Sequence, residues 1–295
     1  MAVFVWFCTE LAHIFFLTEP LSFLQSVSIL RNKNREIETV YRFVGLADCL
    51  LSVYYLREEL PYYCLPEKAD NGYRLEGEEI YHPLIEDCVS NSVIIKEKSV
   101  LLNGSNMSGK TTFIRIIGIN VLLAQTLHTA FARTFALSTP IKIYSALMLA
   151  DDLSEGKSFY MKEVDTIKEM ISRSQEGTAN LFLFDEIFKG TNTTERIAVA
   201  KAVLSYLNTT DNIIVTSTHD AELATLLDTE YDLYHFSEVI QDETFSFDYK
   251  LKSGPLYQRN AIRLLEINGF PPTVIRDAYR TIEKISYPPT STQPL

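Results

Sequence analysis

Val100-Leu101-Leu102-Asn103-Gly104-Ser105-Asn106-Met107-Ser108-Gly109-Lys110-Thr111-Thr112 is the stretch that decides the fold. Its three leading apolar residues predict a buried strand, and beyond it Ile114, Ile117, Val121 and Ala124 recur at helical spacing. The turn between them, Gly104-x4-Gly109-Lys110-Thr111, carries what a bound triphosphate needs. Its glycines let backbone N–H groups turn inward, its lysine suits the terminal phosphates, and its hydroxyl suits Mg²⁺. The phosphates would then meet a helix N-terminus, where free N–H groups and the helix dipole favour anions. A glycine-containing structural turn is the alternative, and the strand in front and helix behind weigh against it.

Working outward toward the C-terminus, Leu181-Phe182-Leu183-Phe184 is a continuous apolar run that ends in Asp185-Glu186. Two carboxylates at the carboxyl end of a buried strand lie where open α/β sheets bind ligands. Read together with the phosphate loop, Asp185 suits Mg²⁺ and Glu186 suits polarising an attacking water. A second apolar run, Ile213-Ile214-Val215-Thr216-Ser217, ends in Thr218-His219-Asp220. A lone histidine is most often structural, but at this strand end His219 is placed to sense a terminal phosphate. Between the phosphate-loop helix and Leu181, Ile141, Ile143, Ser145 and Leu147 predict a strand, and the polar run 150–163 opens a helix with the stripe Met161, Val164, Ile167 and Ile171. Ser158 stands near that helix start, where its hydroxyl caps the helix or meets a phosphate; spacing alone favours the cap.

The helix after Asp185-Glu186 shows Ile197, Ala200, Leu204 and Leu207 on one face. Leu233 to Ile240 and the alternating Phe245, Phe247, Tyr249 and Leu251 predict an antiparallel hairpin at the sheet edge. Helices over Ala261 to Asn268, closed by Gly269, and over Thr273 to Ile285 precede a frayed tail at 287–295.

Working outward toward the N-terminus, Val93-Ile94-Ile95 and Tyr73 to Ile80 predict short strands, which suit an antiparallel flap beside the nucleotide as in ATPases of the ABC type. Pro61, Pro66 and the polar run 67–72 predict a loop and a domain boundary. Upstream, residues 1–66 read as a small helical segment: an apolar helix to about Leu17, a break at Glu19-Pro20, a second helix to Asn34 and a third from Arg35 to Leu60. In the third, Val40, Phe43, Val44, Ala47, Leu50, Leu51 and Tyr54 predict one buried face. Glu10, His13 and Glu19-Pro20 interrupt the apolar N-terminus before any run reaches spanning length, so no membrane span is expected. A signal peptide is not expected either, and so apolar a start reads as the cut end of a longer protein.

The 295 residues, 46% apolar, suffice for a large core. A formal net charge of −11 argues against a broad basic face, so a nucleic-acid partner would have to be held locally or through missing parts. Cys8, Cys49, Cys64 and Cys88 show no C-x-x-C spacing, which predicts reduced, mostly buried thiols in a cytoplasmic protein.

From about Val40 to Ile285 the chain resembles the C-terminal half of the MutS family of DNA mismatch-repair ATPases. Gly104-Ser105-Asn106-Met107-Ser108-Gly109-Lys110-Thr111-Thr112 is similar to the family's G-P-N-M-G-G-K-S-T, and Asp151-Asp152-Leu153-x-x-Gly156-x-Ser158 to its D-D-L-x-x-G-x-S-T-F-M-x-E. Tyr81-His82-Pro83 is similar to R-H-P, Asp185-Glu186-Ile187 with Gly190-Thr191 to D-E-I-G-R-G-T, and Thr218-His219 to A-T-H. Leu46 to Ser52 and Tyr62 to Glu67 look like the end of the family's lever helices.

The resemblance implies an α/β phosphate-loop NTPase of the ABC-ATPase type over 73–286, with a mixed, mostly parallel sheet. It implies ATP and Mg²⁺ as ligands, held by the loop from Gly104 to Thr112: Lys110 on the phosphates, Thr111 and Asp185 on the metal, Glu186 activating water and His219 sensing the γ-phosphate. It also moves Ser158 from cap to trans contact, reaching the nucleotide of a partner subunit in a homodimer. Ser105, Ser108 and Phe159-Tyr160 depart from the family pattern, and near Val93 the expected aromatic residue for the adenine is missing. The length leaves no room for a mismatch-reading domain, a full DNA clamp or a C-terminal nuclease-like domain. The function so implied is ATP hydrolysis in a composite dimer site, coupled to DNA in mismatch repair or recombination. Two alternatives are an ABC transporter subunit, whose L-S-G-G-Q-type helix start Ser154 to Ser158 does not supply, and an ATP-driven conformational switch without repair activity.

Overall fold

The computed structural model describes residues 1–15, 18–69, 74–105, 107–138, 140–147, 159–209, 211–241, 244–256 and 261–286. They fall into two units, Met1–Glu59 and Leu60–Leu295.

The first unit is helical: α1 (Ala2–Phe15), α2 (Thr18–Asn32) and α3 (Asn34–Glu59). Pro20 does not break a helix as expected. It stands in the first turn of α2, where a missing N–H costs no intrahelical bond. The α3 stripe is also corrected. Val40, Phe43, Val44, Leu50, Leu51 and Tyr54 are all exposed, and none of the residues of α3 is buried. Helical spacing decides which residues share a face; burial needs a covering element as well. Among the described residues no helix is long and apolar enough to cross a membrane.

The second unit begins at residue 60, so 60–66, expected to close the helical segment, belong instead to the unit that carries the sheets. Cys64 and Ala130 form an antiparallel bridge, and Glu67-Lys68, read as loop, is a two-residue strand β1 (Glu67–Lys68). β1 pairs in parallel with β5 (Thr134–Leu137), which pairs antiparallel with β2 (Leu75–Ile80), itself antiparallel to β3 (Asn91–Ile95). This four-stranded sheet contains the two expected flap strands plus two more, β1 and β5, whose short runs carried no strand signal of their own.

The main sheet is built from β4 (Ser99–Gly104), β6 (Lys142–Ala146), β7 (Asn180–Asp185), β8 (Ile213–Thr218), β9 (Tyr231–Phe236) and β12 (Lys252–Ser253), in the order β12-β9-β4-β8-β7-β6. Only β12 runs antiparallel to its neighbour, so the sheet is mixed and mostly parallel. Here the expected edge hairpin is revised. Residues 231–236 are a parallel strand beside β4, while β10 (Glu238–Gln241) and β11 (Thr244–Phe247) form a separate antiparallel pair.

Side-chain alternation sorts the core into two faces. Val100, Leu102, Leu181, Leu183, Ile213 and Val215 pack with α4 (Lys110–Thr126) and the smaller sheet. Leu101, Phe182, Phe184 and Ile214 pack on the other face with α5 (Phe159–Ser174), α6 (Thr193–Leu207) and α7 (Ala221–Leu227). Continuous apolar strands arise because both faces are covered. The buried line of α5 is Glu163, Ile167 and Met170, whereas Met161 of the expected stripe is exposed. α8 (Ala261–Ile267) and α9 (Pro272–Ser286) close the described chain. All four cysteines are free: Cys8 and Cys49 are exposed, against expectation, because they lie on the exposed helices of the first unit, and Cys64 and Cys88 are half-buried.

Candidate functional site

Parallel pairing brings the ends of β4, β8 and β7 level: Asn103 pairs with Thr218 and Asp185 with Ser217. The phosphate loop, the carboxylates and the histidine, distant in sequence, therefore emerge at one edge of the sheet.

Gly104 ends β4 with φ +151°, and a Cβ there would lie 2.7 Å from the carbonyl oxygen of Phe236. Only glycine allows that approach. Gly109 opens α4 with φ +104° and no side-chain cap, which leaves the first-turn N–H groups to a ligand. Lys110 is buried, and its Nζ donates to the carbonyls of Gly104 and Ser105, both at 2.7 Å. Burial pushes the Lys110 ammonium below the ordinary lysine range, with Glu186 and then Asp185 opposing the shift. Ser108, which replaces the family's glycine, donates its hydroxyl to the Ser105 carbonyl at 2.8 Å and so ties the loop across. Ser105 Oγ is buried without a hydrogen-bond partner among the described residues. Met107 is exposed with φ +70°. Asn106 and Ser158 lie outside the described residues.

Thr111 Oγ1 donates to Asp185 Oδ2 at 2.8 Å, and Ser217 Oγ donates to Oδ1 at 2.6 Å. A hydroxyl and a carboxylate in contact next to a phosphate-binding loop suit a hard cation that takes its remaining ligands from phosphates and water. Among the described residues no group of three or more His, Cys, Asp or Glu could hold a metal ion unaided. The residues present thus fit a Mg²⁺ that arrives with a nucleotide.

Glu186 stands next to Asp185 with φ +58°. Its Oε1 lies 3.3 Å from His219 Nδ1, and its Oε2 lies 3.6 Å from Lys189 Nζ, which is also 3.9 Å from Asp185. His219 is half-exposed, and its neighbour Asp220 is held by both guanidinium contacts of Arg196, at 2.8 and 3.0 Å.

A cavity of about 740 Å³ has Lys110, Thr111, Thr112, Asp185 and Glu186 in its wall, and Ser217 and His219 stand behind the two carboxylates, outside its lining. Tyr249 also lines it and leans over the loop, 3.2 Å from where a Cβ of Gly109 would be. Asn91 fixes that segment by donating to the Tyr249 carbonyl at 3.0 Å and accepting from Leu251 N–H at 2.7 Å. Sequence reasoning missed Lys189, Ser217, Tyr249 and Asn91 as site residues. Lys189 was open to discovery, since a lysine three residues after Glu186 in a turn has a carboxylate within reach. Tyr249 had no local signal, because only folding brings 249 onto 109.

A mostly parallel, two-sided α/β sheet with a phosphate loop at one strand end and paired carboxylates at another defines the phosphate-loop class of folds. Residues 100–286 match the family model described as MutS domain V, and the chain belongs to the MutS family. It is similar to the DNA mismatch repair protein MutS of Listeria welshimeri, at 26% identity over 90% of this chain and 32% of that protein. It is likewise similar to the proteins of that name from Synechococcus sp. (strain RCC307), at 29% over 76% of this chain and 27% of the relative, and Roseiflexus sp. (strain RS-1), at 27% over 87% and 24%. The chain therefore spans about a third or less of the length of these curated relatives. The family match sets aside the transporter-subunit alternative.

Proposed function

We propose that this chain is a MutS-type engine of the ABC-ATPase kind, binding ATP with Mg²⁺ and hydrolysing it in a site completed by a second copy. One observation carries the reading: Lys110, the Thr111–Asp185–Ser217 contacts and the Glu186–His219 pair converge at one sheet edge around one cavity.

The loop N–H groups and Lys110 would hold the phosphates, and Ser105 Oγ offers a further buried donor. Lys110 must exchange its two carbonyl contacts for phosphate oxygens. Thr111 and Asp185 would hold the metal, which supplies charge neutralisation at the phosphates when bound. Glu186 would orient and deprotonate the attacking water, and His219, in contact with Glu186, would sense the γ-phosphate. Tyr249 offers an aromatic face for the base, which answers the missing aromatic near Val93. Ser158 is assigned the trans contact on the family pattern. Coupling to DNA in mismatch repair follows the relatives' names, and a cytoplasmic setting agrees with four free cysteines.

The test is nucleotide binding and turnover in two variants. Lys110→Ala should lose ATP binding by at least about 100-fold, since it removes the buried cation of the loop. Glu186→Gln should bind ATP normally, turn over at least about 100-fold more slowly and accumulate as an ATP-bound dimer in sedimentation. Undiminished turnover in Glu186→Gln defeats the assignment.

A further inference from the structure

Hydrolysis as proposed gives the buried carboxylate of Glu163 no task. Glu163 lies on the first turns of α5, only 4% exposed, and its Oε1 accepts the N–H of Phe188. Burial pushes the Glu163 carboxyl above the ordinary range, and the backbone N–H groups of 188–190 oppose that shift. The Phe188 N–H is thus satisfied by a side chain of the protein itself, while Glu163 Oε2 is buried without a hydrogen-bond partner among the described residues.

The turn held in this way comes directly after the carboxylates at the end of β7. Glu186 and Phe188 both adopt left-handed backbone conformations, at φ +58° and +61°, which non-glycine residues keep only when their surroundings impose them. Two constraints come from α5. Glu163 accepts the Phe188 N–H, and Tyr160 packs against the same turn, with its ring 6.4 Å from that of Phe188. Tyr160 also sits so close to Gly190 that an added Cβ would lie 2.9 Å from its own. The third constraint is the Glu186 N–H, which donates to the Ser217 carbonyl at 3.2 Å. The same turn delivers Lys189 to within 3.6 Å of Glu186.

We propose that Glu163 is a positioning residue for hydrolysis: by anchoring the 188–190 backbone it sets Glu186 and Lys189 at the γ-phosphate end of the cavity without touching nucleotide itself. This rests on the proposed function for what Glu186 does, but the anchoring is a property of the chain alone. A residue that merely stabilised the fold would, when removed, lower stability and affect binding and turnover together. A positioning residue separates them.

The experiment compares wild type, Glu163→Ala and Glu163→Gln as the full chain. In Glu163→Ala, hydrogen exchange at Phe188, Lys189 and Gly190 should accelerate by at least about tenfold while the strands of the main sheet keep their protection. Its kcat should fall on the order of 100-fold, the cost of a reacting group displaced by about an ångström, with KM and the Kd of a non-hydrolysable ATP analogue within about twofold. Glu163→Gln keeps the side-chain shape and one acceptor for Phe188 and should fall between the two, which covers the case in which the alanine variant fails to fold. Unchanged exchange at 188–190, or kcat and KM shifting together in both variants, overturns the proposal. The exchange arm needs no nucleotide. A wild-type chain that neither binds nor hydrolyses ATP therefore sinks the ATPase reading, while exchange still decides whether Glu163 holds the turn.

Discussion

Lys110 carries its charge under strain of solvation: it is buried, wrapped by two carbonyls, and pushed below the ordinary lysine range by desolvation. Only the protonated form binds phosphate well, and bound phosphate raises the pKa again. Affinity for ATP should therefore fall as pH rises through the lowered pKa of the free protein, by up to about tenfold per pH unit, starting below the ordinary lysine value of about 10.4. Lys110→Arg, charged throughout, should show a flat profile whatever its absolute affinity. Titrating a fluorescent ATP analogue from neutral to about pH 10 reads this out, and a flat wild-type profile refutes it. At this scale the sequence was legible where chemistry is written contiguously. Lys110, Thr111, Asp185 and Glu186 stand in runs whose strand or helix context identifies them. Glu163 falls on the last position of the D-D-L-x-x-G-x-S-T-F-M-x-E pattern, but its burial was not legible, because a glutamate early in a helix normally faces solvent and only the turn after β7 makes it a buried anchor.

At the scale of elements, the apolar runs 100–102, 181–184 and 213–215 announced strands buried on both faces, and the helices between them could be read from their spacing. Partners across the sheet could not. The run from Leu233 reads as a hairpin arm, and parallel pairing of 231–236 with β4, settled by long-range packing, overrides that reading. Beyond the apolar packing, a buried amide ties α4 to the segments that flank β2 and β5. Asn120 accepts the Phe131 N–H at 2.6 Å and donates to the Ile116 carbonyl at 2.9 Å, with the Tyr81 carbonyl at 3.5 Å. Asn120→Ala would strand the Phe131 N–H away from water, and a buried unsatisfied donor costs about 1–3 kcal/mol. Urea unfolding should show a lowered midpoint of that size with an unchanged slope. A midpoint shift within about 0.5 kcal/mol of wild type, the range of an ordinary surface change, would mean that Asn120 does not lock these elements.

For the whole molecule, electrostatics and coverage pull against each other. The family's relatives are named for DNA mismatch repair, yet this chain spans about a third or less of their length and carries a formal net charge of −11. Binding to DNA depends on neutralising phosphates with lysine and arginine, and 27 such residues against 38 aspartates and glutamates leave the long-range field repulsive. Any contact must therefore be local and few in charges, so its affinity should be no better than non-specific binding, about 10⁻⁴–10⁻⁶ M at physiological salt, with a shallow salt slope. Fluorescence anisotropy with duplex, mismatched and branched DNA across a salt series tests this, and ATP turnover measured on the same mixtures shows whether engagement reaches Glu186. Submicromolar binding that survives added salt would reverse this expectation. It would require a concentrated basic surface that outweighs the acidic whole, and the coupling to DNA would then belong to this chain itself.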